Sequence, residues 1–358
     1  MAFWASIAGS HPCLHPASLL QCRVPFSSTL APVIQTRQLI RRFVALLMAG
    51  ACMGLLLAGC GEQKKMLSIG SGGTGGVYYP LGGGLANILS ANLSGYQVTA
   101  EVTGGSIDNL KLVGSNGADI AFSMVDVAWD AYGGKDKFQD GKLAVRTLAV
   151  LYPNRTHVVT VDGTGIESMQ DLKGKRVSLG APGSASEVLA LRVLQSYGLL
   201  ESVTRERLSV AESVNAMKDR KIDAFFWVGG LPTAAVSDLA ATPGTTIRFL
   251  DHAEVAAKLN ATYGPMYSET SIPKDVYTGM QRDNRNLTVW NILVVAESMP
   301  EALAYDIVKV LFEQKQALVA VHKEAGHINL SNQSGKFSPV PFHPGALRYY
   351  REKGVQIE

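Results

Sequence analysis

The residues best placed to do chemistry in this chain are glycines, hydroxyls and a few amides at the ends of β-rich runs, and what they offer is a grip on an anion. The run Gly70-Ser71-Gly72-Gly73-Thr74-Gly75-Gly76 leads into a helical pattern that opens at Val77-Tyr78-Tyr79-Pro80. Glycines let the backbone approach a ligand closely, and a helix start presents unpaired N–H groups with partial positive charge. An anionic group is held there without a basic side chain. Four further segments repeat the logic: Thr103-Gly104-Gly105-Ser106-Ile107-Asp108-Asn109, Ser123-Met124-Val125-Asp126, Gly180-Ala181-Pro182-Gly183-Ser184-Ala185-Ser186-Glu187 and Trp227-Val228-Gly229-Gly230-Leu231-Pro232. In open α/β sheets ligands bind at the carboxyl ends of strands, so these turns gather at one edge of each of two lobes and face each other across a cleft.

Each of these residues also has a plain structural reading. Tyr78 and Tyr79 either touch a ligand or pack the start of a helix. Ser106 and Asn109 cap the helix that begins there, which is compatible with ligand contact. Asp126 hydrogen-bonds its own turn or receives a ligand ammonium. Ser184 and Glu187 fit a capping box, which assigns Glu187 a structural part. Trp227 walls the cleft or packs in a core. Arg155 would hold a carboxylate through two parallel bonds if it faced the cleft, and is otherwise a solvated turn residue.

Other chemistries find little support. Gly70, Gly72 and Gly75 satisfy G-x-G-x-x-G, with Glu101 some 26 residues beyond, which raises a dinucleotide site. Five glycines in seven residues match that pattern by chance, and Gly82-Gly83-Gly84 stand where a Rossmann helix would pack on its strand. His322 and His327 are five apart, not the i, i+4 of a helical metal pair. There is no H-E-x-x-H, no G-x-S-x-G and no Walker A lysine. Neither catalysis nor a cofactor is expected, and binding is the default.

The elements that must position these turns alternate, short β-rich runs with longer amphipathic ones, as in parallel sheets with crossover helices. Strands are expected at 67–70, 96–102, 120–123, 147–151, 158–161, 177–179, 224–228, 247–250 and 287–296. Helices are expected near 78–93, 107–115, 187–197, 214–219, 232–240 and 300–320, with a weaker one at 345–353. Pro153-Asn154 breaks the 147–161 run and marks a place for the chain to leave one lobe for the other. A return crossing falls somewhere in 251–291. With 358 residues, 47% of them hydrophobic, the chain is long enough for two domains.

The apolar stretch 43–59 stands behind Arg37, Arg41 and Arg42 and is shorter than the roughly 20 residues a spanning helix needs. It reads as an export signal. It ends Leu57-Ala58-Gly59-Cys60, which resembles the bacterial lipoprotein box, where the cysteine thiol is acylated. Two acyl chains on Cys60 would hold the protein at a membrane surface, periplasmic or at the cell surface. Residues 1–36 carry no export pattern, and the start site is expected downstream. All four cysteines (Cys13, Cys22, Cys52, Cys60) lie at or before the cleavage point, so the mature body has neither disulfide nor thiolate metal site. Residues 1–60 hold four arginines and no acid, which takes the formal charge of +3 down to −1 for the remainder. No nucleic-acid patch follows from that balance.

The ordered set of Gly72-Gly73-Thr74-Gly75-Gly76-Val77-Tyr78-Tyr79, Gly104-Gly105-Ser106-Ile107-Asp108-Asn109, Asp119-Ile120-Ala121-Phe122, Leu151-Tyr152-Pro153-Asn154, Pro182-Gly183-Ser184 and Asp223-Ala224-Phe225-Phe226-Trp227 resembles the TAXI family, the extracytoplasmic receptors of one branch of TRAP transporters. The resemblance runs from about Leu67 to the end. It implies a two-lobed α/β type II periplasmic-binding-protein fold with a hinge of crossing strands, divided as 60–150 with 251–358 and 151–250. It also implies a small carboxylate ligand such as glutamate and a TRAP membrane subunit as partner. By this resemblance Thr74, Gly75, Gly76, Tyr78, Ser106, Asn109, Ser123 and Asp126 face the cleft from the first lobe, and Ser184, Ser186, Trp227 and Gly229 from the second. Ser184-Ala185-Ser186 stands where relatives often have serine, glycine and threonine. A sensor that passes its closed state to a signalling partner would share every cleft feature, and an enzyme on a Rossmann-like lobe is the third reading.

Overall fold

The computed structural model describes residues 41–45, 48 and 64–357. The chain divides into two units, Met1–Glu62 and Gln63–Glu358. In the first, only positions 41–45 and 48 are described, and they are helical. Most of the signal, the four cysteines and the lipid attachment expected at Cys60 lie outside the described residues.

The second unit is organised by one mixed sheet. The strands β1 (Lys65–Gly70), β2 (Tyr96–Glu101) and β3 (Ile120–Met124) pair in parallel, with β1 in the middle. A second group, β5 (Arg176–Ser178), β6 (Thr204–Glu206) and β7 (Ala224–Gly229), is parallel too, with β5 in the middle. Two long antiparallel strands join the groups: β4 (Val145–Val161) and β10 (Asn284–Ala296). Asn291 to Val295 of β10 pair β3, whereas Asn284 to Thr288 pair β9 (Ser268–Ile272). On β4, Arg155 to Val159 pair β7, and the end of the strand pairs β8 (Ile247–Phe249). The chain therefore crosses twice between two α/β lobes, through β4 and β10.

The helices follow from apolar spacing and from their ends. In α1 (Tyr78–Asn92), Leu81, Leu85 and Leu89 recur every four residues and are buried. Removing a side chain such as Leu89, which is fully buried, costs about 2–5 kcal/mol. Helix α2 (Ser106–Gly114) follows β2, and α3 (Val125–Gly133) follows β3 directly and stops at Gly134 in the left-handed conformation. In the second lobe, α4 (Ala185–Ser196) is capped by Ser184, and α5 (Val210–Lys218) by a complete capping box between Ser209 and Glu212. Next come α6 (Ala234–Ala240) and α7 (Ala256–Tyr263), then α8 (Glu301–Glu313), α9 (Lys315–Val321) and α10 (Pro344–Glu352). One apolar cluster runs through both lobes, and a second, around Phe225, Val236 and Tyr277, fills the outer part of the second lobe.

Four differences from expectation stand out. The 147–161 run is a single strand: Pro153 does not break β4, and it pairs with Trp290 of β10 beside the register shift between Trp290 and Ile292. The segment after Ser123 is a helix where only a turn was expected. The short edge strands β6 and β9 were not anticipated. The 300–320 helix is two helices, interrupted at Gln314.

Candidate ligand site between the lobes

The turns at the strand ends converge. From the first lobe, Gly72, Gly73 and Gly76, with Tyr78 from the start of α1, and Gly104, Gly105 and Ser106, from the start of α2, line one side of a cavity. From the second lobe come Ser184, Ala185 and Ser186 at the start of α4 and Trp227, Val228 and Gly229 at the end of β7. Tyr152 and Asn154, on the crossing strand β4, close the side between them. Among the described residues no charged side chain lines it.

The two helix starts abut. The N–H groups of Ile107 and Asp108 donate to the Gly183 carbonyl at 3.0 and 3.3 Å, so the first turn of α2 is bonded to the loop that leads into α4. Gly183 has φ +78, and a Cβ there would strike the Asp108 carboxylate, so only glycine permits this approach. Gly76 is the second such point: a Cβ would come 2.9 Å from Trp227 Cη2. Trp227 is fixed by its Nε1–H, which donates to Thr233 Oγ1 at 2.8 Å. The lobes are therefore closed on the cavity.

Its polar surface is made of backbone and hydroxyls. The first-turn N–H groups of Ser106, Ala185 and Ser186 make no hydrogen bond among the described residues. Ser106 Oγ accepts from Met124 N at 3.1 Å and Ser186 Oγ from Val228 N at 3.1 Å, so each hydroxyl keeps its own hydrogen for a further partner. Ser184 Oγ donates to Ala181 O (2.7 Å) and accepts from Glu187 N (3.2 Å), which is helix capping. Tyr78 donates to Asn291 Oδ1, and burial holds its phenol well above the usual tyrosine range, so it stays protonated. Three helix-start N–H groups and two hydroxyls at the cavity can solvate a carboxylate.

Not every residue named from the sequence reaches this cavity. Gly76, Tyr78, Ser106, Ser184, Ser186, Trp227 and Gly229 line it. Thr74 and Gly75 line an adjoining groove that shares Gly73, Gly104, Ser184 and Trp227 with it. Asn109 is fully buried beneath the α2 start: its Nδ2 donates to the carbonyls of Ser71 (2.7 Å) and Phe122 (2.8 Å), and its Oδ1 accepts from Thr103 Oγ1 (2.7 Å). It ties β1 to β3. Ser123 is buried and donates to the Met124 carbonyl at 3.0 Å. Asp126 is also buried, where its Oδ1 accepts from Val127 N (2.9 Å) and its Oδ2 from Tyr267 (2.9 Å). Glu187 pairs with Arg207 at 2.6 Å and does not complete a capping box, since Ser184 N bonds Ala181 O. Arg155 donates to Pro153 O and stays out of the lining.

Tyr152 and Asn154 were absent from the expected site, although the sequence marks them by their position either side of Pro153. Among the described residues no group of histidine, cysteine and carboxylates is arranged to hold a metal, and no helix is long and apolar enough to cross a membrane.

Residues 69–354 match the NMT1-like family. The chain belongs to that family. The match takes in both lobes, both crossing strands and every turn around the cavity. Among solved structures, the chain is similar to the periplasmic aliphatic sulphonate binding protein SsuA from Escherichia coli, at 16% identity over 80% of this chain and 83% of that one, TM-score 0.45. It is similar to XAC2383 from Xanthomonas citri bound to ATP, at 12% identity over 80% and 94%, TM-score 0.48. A putative L-cystine ABC transporter from Listeria monocytogenes matches at 14% identity over 74% and 96%, TM-score 0.45.

Proposed function

We propose that this protein is an extracytoplasmic solute receptor that closes on a small carboxylate and presents it to a membrane transporter. The observation that carries the reading is the lining of the interlobe cavity: two helix starts from opposite lobes, glycine backbone and hydroxyls, and no charged side chain among the described residues. Such a lining solvates one anionic group by dipoles and N–H donors. The twin crossing strands supply a hinge, and each lobe contributes half of the donors, so an anion stabilises the closed state through contacts that the open state lacks.

On this reading the first lobe is β1 to β3 with the C-terminal helices, and the second runs between the middle of β4 and the middle of β10. The glycine turn, the Gly-Gly-Ser-Ile-Asp-Asn segment and the hinge tetrapeptide support placement with the TAXI branch, so the partner is a TRAP-type membrane subunit. A glutamate-like solute has the anionic group that the N–H groups and hydroxyls of the lining would hold. Lipid attachment at Cys60 would keep the receptor beside its transporter, and the export signal would put it outside the inner membrane.

A thermal-shift screen tests the reading. Among small carboxylates, amines and neutral sugars at millimolar concentration, at least one carboxylate is expected to raise the melting point by about 2 °C or more, because a ligand a hundredfold above its Kd adds about 2.7 kcal/mol. A response confined to amines or sugars would overturn it.

A further inference from the structure

The cavity has a second pole that the helix starts do not account for. Two lining side chains carry polar atoms that are buried and have no hydrogen-bond partner among the described residues: Tyr152 Oη and Asn154 Oδ1. Tyr152 is fully buried, and Asn154 is 2% exposed. A buried polar atom left unpaired is destabilising, so it normally has a partner.

The orientation of Asn154 is set by its neighbours. Its Nδ2 donates to Asn291 Oδ1 at 2.7 Å, while Asn291 Nδ2 donates to the Tyr152 carbonyl at 3.1 Å. Tyr78 also donates to Asn291 Oδ1. Turning the Asn154 amide over would set two oxygens against each other. The relay from β10 to β4 therefore holds Oδ1 as an acceptor, and an amide oxygen takes only a donor.

We propose that Tyr152 and Asn154 form an acceptor-bearing pole at the hinge side of the cavity, so the solute is a carboxylate that also carries an N–H or O–H donor. The proposal rests on the carboxylate reading above. Among the described residues the lining holds no carboxylate, so an ammonium entering here brings its counter-charge within the same molecule, as a zwitterion does, whereas a hydroxyl or amide needs none. Both residues sit on a crossing strand, so the group they hold is read by the hinge itself. A site built to hydrogen-bond a donor rejects the analogue without it strongly, because its own polar atoms are then left unpaired.

The test uses ligand sets that differ in one group: glutarate against 2-hydroxyglutarate and glutamate, and succinate against malate and aspartate. Each is titrated calorimetrically into the wild type and Tyr152→Phe, and the ligand-free melting points are compared. The expected result is that a donor-bearing member binds at least about tenfold tighter than its donor-free parent, that Tyr152→Phe narrows this gap, and that the ligand-free variant melts no lower than the wild type. Equal affinity for parent and derivative would overturn the proposal and leave the carboxylate reading standing. So would a drop of several degrees in the ligand-free Tyr152→Phe protein, which would make the hydroxyl structural. Absence of binding by all six, with binding of non-carboxylates, would overturn both.

Discussion

Arg192 on α4 and Asp126 on α3 meet across the lobes, Nη1 to Oδ2 at 3.4 Å, with both side chains buried. Tyr267 binds the two together: it accepts from Arg192 at 2.8 Å and donates to Asp126 at 2.9 Å. The same guanidinium pairs with Asp130, reaches Asp136 at 3.1 Å and lies 4.1 Å above the ring of Tyr263. One cation of the second lobe thus holds three carboxylates of the first, and it stands on the helix whose first residues line the cavity. Burial raises the carboxyl groups of Asp126 and Asp130, and Arg192 offsets that in part.

Breaking this cluster is expected to be severe. Arg192→Met leaves buried carboxylates without a cation, at about 3–5 kcal/mol. A carboxyl whose folded pKa exceeds its unfolded value stabilises below the unfolded value and loses that contribution as pH rises through the folded one. The deficit of Arg192→Met against the wild type, measured by urea unfolding, should therefore be smaller at pH 5 than at pH 7.5. A deficit that does not change with pH would mean that the carboxylates find other partners.

Closure depends on two glycines. Gly76→Ala would place a methyl group 2.9 Å from a tryptophan that cannot swing away without losing its bond to Thr233. The expected outcome is at least about tenfold weaker carboxylate binding with an almost unchanged melting point, since the clash exists only when the lobes are shut. Unaltered affinity would remove Trp227 from the closing surface.

Ser184 acts as a cap. Its replacement by alanine should cost about 1 kcal/mol of stability through the α4 start. Binding should weaken in parallel, because the same turn aims its N–H groups at the cavity. Calorimetry and chemical unfolding on one preparation separate the two effects, and lost binding without lost stability would indicate direct contact by the hydroxyl.

His157 sets an acid limit. It is buried between the Arg155 carbonyl (2.9 Å from Nδ1) and Tyr277 (3.0 Å from Nε2), and Tyr277 already accepts from Thr233 N, so its own hydrogen goes to the histidine. The ring is neutral, and burial lowers its pKa from 6.5 to about 3. A histidine with a depressed folded pKa favours folding above the unfolded value, and that contribution is lost as pH falls from 6.5 towards 3. Between pH 6.5 and 5 the loss is about 1.6 kcal/mol. His157→Gln should flatten this slope, and an unchanged slope would place the titration elsewhere.

Much of this was legible in the sequence because backbone chemistry is written in residue types. Glycine runs before helix starts located the cavity turns, and alternating apolar runs located most strands. What escaped depended on partners distant in the chain. Val125 begins a helix with no side-chain cap before it, so only a turn was read at 123–126. Pro153 looked like a break because the register shift that accommodates it lies on β10. Asp126 looked like a ligand group because Arg192, 66 residues away, was not visible as its partner. Tyr152 and Asn154 gain their place only when two crossing strands lie side by side.

The most direct measurement is a calorimetric titration of the carboxylate with the largest thermal shift into the wild type and Gly76→Ala. One saturable site per chain in the wild type, weakened at least about tenfold by the added methyl group, is the result expected of a solute held between the closed lobes. Equal affinities in the two proteins would place the binding site outside this cavity.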